Sequence, residues 1–114
     1  MSLVRVSSIH ETEPVDAPPD SPRFLNMVVA GITPLAAPAL LAALHEIEAR
    51  HGRIRRERNG PRPLDLDLIL YGAHAIWTAT LVVPHPRYRE RAFVREPLAE
   101  LRLGWCDPLS GERV

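Results

Sequence analysis

Two stretches in the first third of the chain have the residue pattern of β-strands. Polar and apolar side chains alternate from Leu3 to Glu13, and β-branched residues recur between Phe24 and Thr33, and both features are typical of strands. We therefore predict an antiparallel pair. The proline-rich residues 14–23 between the two strands predict a stiff loop, longer than a tight hairpin turn and of a length often used for function.

The next stretch, from Pro38 to His51, predicts a helix. Its apolar residues recur at helical spacing along one stripe, Leu40, Leu44 and Ile47, with Leu41 beside them. Pro38 in the first turn and Gly52 just past the last turn are typical of helix ends. An arginine-rich loop then runs from Arg53 to Pro63.

The clearest strand in the sequence is predicted from Leu64 to Tyr71. Its leucines share one face, whereas Asp65, Asp67, Ile69 and Tyr71 share the other. The remaining sequence predicts a short hairpin over Ala75–Val83, a rigid turn at Pro84–Pro86, and a helix over Arg89–Leu103 whose candidate break is Pro97.

Composition narrows the fold and the function. The 114 residues suit one small domain, and a formal net charge of zero does not favour a nucleic-acid binder. All 14 basic residues are arginine, so the lysine of a P-loop or a protein kinase is missing, and phosphate chemistry must use arginine and metal. The single cysteine, Cys106, fits a cytoplasmic setting. No apolar stretch approaches the roughly 20 residues of a membrane span.

Asp65 and Asp67 are the first candidates for chemistry. Residues two apart on a strand share a face and lie roughly 6 to 7 Å apart along it. Two carboxylates placed in this way repel each other unless a cation lies between them, and magnesium prefers such oxygen ligands and shares them with phosphate oxygens. The alternative is an exposed strand face with two solvated acids, which is common for an isolated pair of this kind.

Arginines flank this acidic stretch on both sides. Nine of the 14 lie close to it in sequence: Arg50, Arg53, Arg55, Arg56, Arg58, Arg62, Arg87, Arg89 and Arg91. Guanidinium groups bind phosphate oxygens bidentately, so acids for metal among arginines for phosphate are typical of phosphoryl transfer. The alternatives are solvated loop charges or a patch for nucleic-acid backbone. A nucleic-acid patch would leave the paired acids unexplained, because carboxylates repel phosphates.

Four other side chains have both a structural and a functional interpretation. His85 stands between two prolines that restrict its backbone and close to arginines, which favours function over the structural role most lone histidines have. Asn26, in an otherwise apolar strand, needs hydrogen-bond partners if it is buried, either backbone groups or the edge of a heterocycle. Phe24 and Phe93 either fill a core or stack on a flat ring.

Three groups of residues together resemble the 6-hydroxymethyl-7,8-dihydropterin pyrophosphokinase family. The stretch from Gly52 to Gly72, with its Gly-Pro-Arg and Leu-Asp-Leu-Asp-Leu strings, resembles the central signature of that family. Val-Pro-His-Pro at 83–86, followed by Arg-Ala-Phe-Val at 91–94, resembles a second block. Ser7-Ser8, Thr12, Pro14 and Phe24-Leu25-Asn26 resemble the segments on the pterin side, so the resemblance covers nearly the whole chain.

The resemblance implies a fold and a reaction. The fold is of the α/β (α+β) class, a ferredoxin-like antiparallel sheet with helices packed on it. The reaction transfers pyrophosphate from ATP to 6-hydroxymethyl-7,8-dihydropterin and releases AMP, as a step of folate biosynthesis. It uses ATP as co-substrate and two Mg²⁺ ions, without a nucleic-acid or membrane partner.

The positions that match the family's motifs carry the implied site. The metal ligands are Asp65 and Asp67, and the catalytic contacts to the transferring phosphates are Arg53 and Arg62. The implied ATP-binding residues are Glu48, Arg55, His85 and Arg91. The implied pterin-binding residues are Thr12, Val15, Phe24, Asn26 and Phe93.

The sequence departs from the family pattern in two places. Asn59 stands where the family usually has tryptophan, which predicts less aromatic contact with the pterin. The chain also starts at the family's second strand, so we expect an N-terminally shortened domain, 1–114, that lacks the family's central strand and first helix. Unpaired backbone and exposed apolar surface would then favour self-association. Two other functions stay open: a non-catalytic remnant of the enzyme, and an arginine-loop module that binds nucleic acid.

Overall fold

A computed structural model describes residues 2–12, 24–52 and 64–114 of the chain. Its elements, in chain order, are β1 (Ser2–Val6), β2 (His10–Thr12), β3 (Phe24–Asn26), β4 (Val29–Ile32), α1 (Ala37–Gly52), β5 (Ile76–Trp77), β6 (Val82–Val83) and α2 (Ala92–Glu100). A 3₁₀ turn at Tyr88–Glu90 precedes α2. The expected mixed α/β class is confirmed, and the described strands form three two-stranded antiparallel sheets.

The two predicted N-terminal strands are present and antiparallel, but each is divided in two. β1 pairs with β4, and β2 pairs with β3. The division falls at Ser7, which is buried, and at Val28 on the opposite side. The Ser7 N–H donates to the Val28 carbonyl at 2.9 Å, and the Val28 N–H donates to Ser7 Oγ at 2.9 Å. The Ser7 hydroxyl oxygen accepts the hydrogen bond that a backbone carbonyl accepts in a regular strand pair. The regular pairing of the two strands is therefore interrupted at this point.

The predicted helix is confirmed as α1, with Gly52 as its last helical residue. Leu40 of the apolar stripe is buried, whereas Ile47 is 39% exposed. The buried residues of this helix are Ala37 and Leu40, both in its N-terminal half. The C-terminal half of α1 therefore has side chains available for contacts outside the core.

The predicted strand over Leu64–Tyr71 is wrong, because no strand is assigned there. The alternation is present only from Leu64 to Leu68, where the leucines are half-buried and Asp65 and Asp67 are exposed. Ile69 and Tyr71, predicted on the face of the acids, are half-buried and pack against the core clusters instead. A strand also requires a hydrogen-bonded neighbour. Within the described ranges, the one backbone-to-backbone bond to a distant segment in this stretch runs from the His85 N–H to the Ile69 carbonyl, at 2.8 Å.

The C-terminal elements follow the prediction with narrower bounds. β5 and β6 form the predicted short hairpin. The helix predicted over Arg89–Leu103 is the 3₁₀ turn followed by α2, and α2 continues through Pro97 to Glu100 without the expected break. Pro97 is among the most completely buried residues of the described chain, so its ring packs in the interior while one helical hydrogen bond is absent.

Two small apolar clusters make up the core. One contains Ala30, Tyr88, Leu98 and Leu101, and the other contains Ala37, Leu81 and Val83. Ile69 and Leu70 pack against the first cluster, while Leu68 and Tyr71 pack against the second. The end of the acidic stretch is thus held between both clusters, which fixes the position of the acids before it.

Apolar side chains remain exposed on the β1–β4 sheet. The exposed fraction is 59% for Leu3, 55% for Val4, 51% for Val6, 43% for Val29 and 70% for Ile32. Alternate residues of a strand point to opposite faces, so neither face of this sheet is fully covered. No helix in the described parts of the chain is long and apolar enough to cross a membrane.

Candidate functional site

The acidic stretch is held from two sides by hydrogen bonds. Glu48, in the last third of α1, accepts the Leu66 N–H on Oε2 at 2.9 Å. On the other side the Ile69 carbonyl accepts the His85 N–H. Leu66 lies between Asp65 and Asp67, so the Glu48 contact fixes the backbone between the two exposed acids. Glu48, predicted to help bind ATP, acts here on the segment that carries the acids.

His85 is half-buried beside this stretch. Burial lowers the pKa of its imidazole, the Arg91 and Arg87 guanidinium groups lower it further, and the Asp67 carboxylate opposes them. His85 Nδ1 accepts the Arg87 N–H at 3.2 Å. A neutral imidazole whose Nδ1 accepts carries its proton on Nε2, so the ring offers an N–H donor at its other edge. The charges of Asp67, a predicted metal ligand, and Arg91, a predicted ATP-binding residue, therefore both act on His85.

Arg91 and Phe93 lie next to each other at the start of α2. The Arg91 guanidinium lies over the Phe93 ring, 5.7 Å from its centroid, in a cation–π contact. Phe93 is 39% exposed and lies outside both core clusters. Its core-filling interpretation is therefore the weaker one. A predicted ATP-binding residue and a predicted pterin-binding residue meet at this point.

The side chains of Thr12 and Asn26 are hydrogen-bonded across the β2–β3 sheet. Asn26 Nδ2 donates to Thr12 Oγ1 at 2.8 Å, and both residues are half-buried. Thr12 thus supplies a hydrogen-bond partner for the Asn26 amide, and the bond fixes the direction in which the amide points. The amide oxygen and the second N–H of Asn26 form a donor and acceptor pair of the kind that a heterocycle edge matches.

Helix α2, which carries Phe93, packs against β2 and β3. At its C-terminal end, Glu100 accepts hydrogen bonds from the Ser8 N–H at 2.6 Å and the Ser8 hydroxyl at 3.0 Å, and its Oε2 lies 2.8 Å from His10 Nε2. The bond from the Ser8 backbone, together with those from His10 and the Ser8 hydroxyl, lowers the pKa of Glu100 to about 2. Sequence reasoning missed this contact, because Glu100 and Ser8 are 92 positions apart.

Several predicted site residues lie outside the described residues. They are Arg53, Arg55, Arg62 and Val15. Phe24 is described as part of the β3 backbone, where it pairs with Thr12.

The donor set at the acids suits a hard cation that is shared with a ligand. Asp65 and Asp67 are exposed and form no ion pair with another residue of the described chain. Within the same ranges, no group of three or more histidine, cysteine or acidic side chains could hold a metal ion alone. Two carboxylates whose remaining ligands come from water and phosphate oxygens are the arrangement that Mg²⁺ prefers.

Comparison with known proteins shows the family of the chain. The model of the 7,8-dihydro-6-hydroxymethylpterin-pyrophosphokinase (HPPK) family matches residues 1–103. Three bacterial relatives are 2-amino-4-hydroxy-6-hydroxymethyldihydropteridine pyrophosphokinases. The protein from Pseudomonas aeruginosa is 48% identical over 87% of this chain and 60% of its own length. The protein from Bacillus subtilis is 46% identical over 89% and 60%, and that from Synechocystis sp. is 46% identical over 84% and 49%.

The matched region is only part of each relative. The chain spans between 49% and 60% of the length of these three proteins. The family model nevertheless matches most of the chain, including the acidic stretch, the His85 turn and α2. The chain belongs to the 7,8-dihydro-6-hydroxymethylpterin-pyrophosphokinase family.

Proposed function

We propose that the protein transfers pyrophosphate from ATP to 6-hydroxymethyl-7,8-dihydropterin and releases AMP, as a step of folate biosynthesis. Family membership supports the reaction class. The observation that carries the proposal is the backbone hydrogen bond from the His85 N–H to the Ile69 carbonyl, which supports a half-buried imidazole close to the exposed carboxylate of Asp67. A phosphate site needs both cation ligands and uncharged or cationic donors, and this contact provides them side by side.

In the nucleotide half of the proposed site, Asp65 and Asp67 hold two Mg²⁺ ions. Bound Mg²⁺ would neutralise charge on the phosphate oxygens of ATP. His85 donates from Nε2 to a phosphate oxygen, and Arg91 adds a guanidinium group. Glu48 keeps the acidic stretch in place through its bond to Leu66. The roles of Arg53, Arg55 and Arg62 are proposed from the motif alone.

In the pterin half, Asn26 provides hydrogen bonds to the pterin edge, and Thr12 orients its amide. Phe93, held at the start of α2, stacks on one face of the ring. Phe24 is proposed for the opposite face, and Val15 for the pocket wall, from the motif. The two halves meet at Arg91 and Phe93, so the hydroxymethyl group and the phosphates would approach each other there. Catalysis then comes from positioning and charge neutralisation rather than from a covalent intermediate.

We propose that the described sheets belong to one ferredoxin-like domain in the cytoplasm. We also propose that the exposed apolar side chains of β1 and β4 self-associate, because burying them removes apolar surface from water. Sedimentation velocity should show a dimer or larger species that the Val4→Lys, Ile32→Lys double variant shifts towards monomer. A strictly monomeric wild-type chain would refute the self-association.

The experiment that tests the function measures AMP formation from ATP, 6-hydroxymethyl-7,8-dihydropterin and Mg²⁺. The 114-residue chain is assayed beside any longer version that the gene encodes. The Asp65→Asn, Asp67→Asn variant should lose turnover by a factor of at least ~100, because the cation ligands are gone. Glu46→Gln is the matched control, since Glu46 is an exposed acid of α1 that pairs with Arg50, and this variant should keep full activity.

Each outcome has a distinct meaning. AMP that depends on the pterin and on Asp65 and Asp67 would establish the enzyme. Pterin-dependent AMP from the longer version alone would keep the reaction and assign the 114 residues to a part of the catalytic chain. No AMP from either would refute the catalytic proposal and favour a non-catalytic remnant. Undiminished AMP in the double asparagine variant would refute the metal-ligand roles.

A further inference from the structure

Residues 104–114 lie beyond the part of the chain that the family model matches. They fold back on themselves: the Asp107 N–H donates to the Glu112 carbonyl at 2.8 Å, and the Val114 N–H donates to the Trp105 carbonyl at 3.0 Å. Val114 packs against the core cluster that contains Tyr88. The segment is therefore folded onto the protein rather than extended away from it.

Asp107 is the buried acid of this segment, with 4% of its surface exposed. Its Oδ1 accepts the N–H groups of Leu109 at 2.7 Å and Ser110 at 3.2 Å, and its Oδ2 accepts the Tyr88 hydroxyl at 2.5 Å. Arg89 Nε also contacts Oδ2 at 3.4 Å. A buried carboxylate is costly unless such partners surround it. Here the donors come from the turn before α2 and from the C-terminal segment itself, so Asp107 links these two parts of the chain.

Tyr88 occupies the middle of the turn that carries the nucleotide-binding candidates. Its N–H donates to the His85 carbonyl at 3.4 Å, and its carbonyl accepts the Arg91 N–H at 3.3 Å. Its ring is buried against Leu98 and Leu101, with Ile69 and Leu70 of the acidic stretch packed on the same cluster. A rotation of Tyr88 would therefore move His85 and Arg91 relative to the acids.

We propose that Asp107 is a positioning residue for the nucleotide half of the site. By holding the Tyr88 hydroxyl it fixes the turn that presents His85 and Arg91 beside Asp67. The identity of the ligand, MgATP, rests on the proposed function, whereas the positioning of the turn does not. Asp107 itself does not touch the ligand, so its effect must pass through Tyr88.

The variants follow from the hydrogen bonds. Asp107→Ala removes the acceptor, and Tyr88→Phe removes the donor. Asp107→Asn keeps Oδ1 for the turn amides and places an N–H beside the Tyr88 hydroxyl, which can accept it. The link to Tyr88 therefore survives in reversed direction, while the longer Arg89 contact is lost. Glu112→Gln is the matched control, because it weakens the exposed pair with Arg89 and leaves the Tyr88–Asp107 bond intact.

Two measurements separate positioning from general stability. Calorimetry with Mg²⁺ and α,β-methylene-ATP should give affinities about tenfold weaker for Asp107→Ala and Tyr88→Phe, as expected when the released turn has the binding geometry in only about a tenth of the molecules. Asp107→Asn should stay within about threefold of the parent chain, and Glu112→Gln should match it. Residue-resolved hydrogen exchange should show the His85 amide, bonded to Ile69, exchanging faster in the first two variants while amides in the middle of α1 keep their rates.

The outcomes decide the two proposals separately. Faster exchange at His85 alone, with weaker nucleotide binding, would establish the positioning role. Faster exchange at His85 in a chain that binds no nucleotide would keep the positioning and refute the nucleotide ligand. Uniformly faster exchange across α1 and the turn, or equal nucleotide affinity in all variants, would overturn the positioning role and make Asp107 a general stabilising residue.

Discussion

Ser7 offers the sharpest test of the fold, because one hydroxyl holds both halves of the N-terminal strand pair. Its Oγ accepts the Val28 N–H at 2.9 Å and donates to the Ser8 carbonyl at 2.8 Å. The Ser7→Ala variant leaves the Val28 N–H without its acceptor. Ser7 is only 6% exposed, so water does not readily replace the hydroxyl.

The expected magnitude follows from that burial. A buried donor that loses its partner costs about 1 to 3 kcal/mol, which is a large share of the roughly 5 to 15 kcal/mol that stabilises a typical domain. With a urea m-value of about 2 kcal/mol/M for a domain of this size, the unfolding midpoint should fall by about 1 M.

Urea denaturation followed by circular dichroism measures this change at one fixed protein concentration, so that any contribution of association is compared under equal conditions. Ser110→Ala is the control, because Ser110 is exposed and its Oγ accepts the Glu112 N–H at 3.2 Å. We expect the control to change the free energy of unfolding by less than about 0.5 kcal/mol. A Ser7→Ala midpoint equal to that of the control would refute the role of Ser7 as the turning point of the strands.

Three further predictions concern Glu100 and Leu98 of α2 and Tyr88 of the 3₁₀ turn before it. The pKa of Glu100 is lowered to about 2 from an ordinary 4.5, so its contribution to stability is present above pH 4.5 and is lost as the pH falls towards 2. In urea denaturation at several pH values, Glu100→Gln should remove part of this dependence of stability on pH. An unchanged dependence would contradict the contact with Ser8. Leu98→Ala should lower the free energy of unfolding by about 2 to 5 kcal/mol, because Leu98 is 4% exposed in the core; a loss below about 1 kcal/mol in the same denaturation assay would contradict its burial. Burial and the hydrogen bond to Asp107 raise the pKa of Tyr88 above its ordinary 10. Absorbance at tyrosinate wavelengths should therefore show a late-ionising group that Tyr88→Phe removes, and a titration without such a group would contradict the buried, hydrogen-bonded position of Tyr88.

Local patterns were enough to predict most of the elements. The antiparallel N-terminal pair, α1 and the β5–β6 hairpin were read from periodicity and turn residues, which depend on neighbours within a few positions. The division of the N-terminal strands was not predicted. It depends on the contact between Ser7 and Val28, which are 21 positions apart.

The acidic stretch shows the limit of periodicity. Alternation correctly predicted which side chains of residues 64–68 are exposed and which are half-buried. It did not establish a strand, because a strand also needs a neighbouring backbone, and alternation says nothing about whether one is present. The same residues thus gave a correct prediction of side-chain direction and a wrong prediction of secondary structure.

For the site, the motifs singled out Asp65, Asp67, His85 and Arg91, and the roles of these residues stay predictions. The structure then added what the motifs do not contain: the bond from Leu66 to Glu48 and the contact of Glu100 with Ser8. These contacts involve common residue types with no distinctive spacing. No local signal marks them.

The sequence by itself determined the family, the candidate chemistry and most of the local elements, because residue type and spacing express them directly. The tertiary structure alone decided which side chains meet: Glu100 with Ser8 across 92 positions, and Asp107 with Tyr88 across 19. Such contacts depend on how separate elements pack around a shared core. Packing is a property of the whole chain, so it is not encoded in the spacing of residues along any one segment.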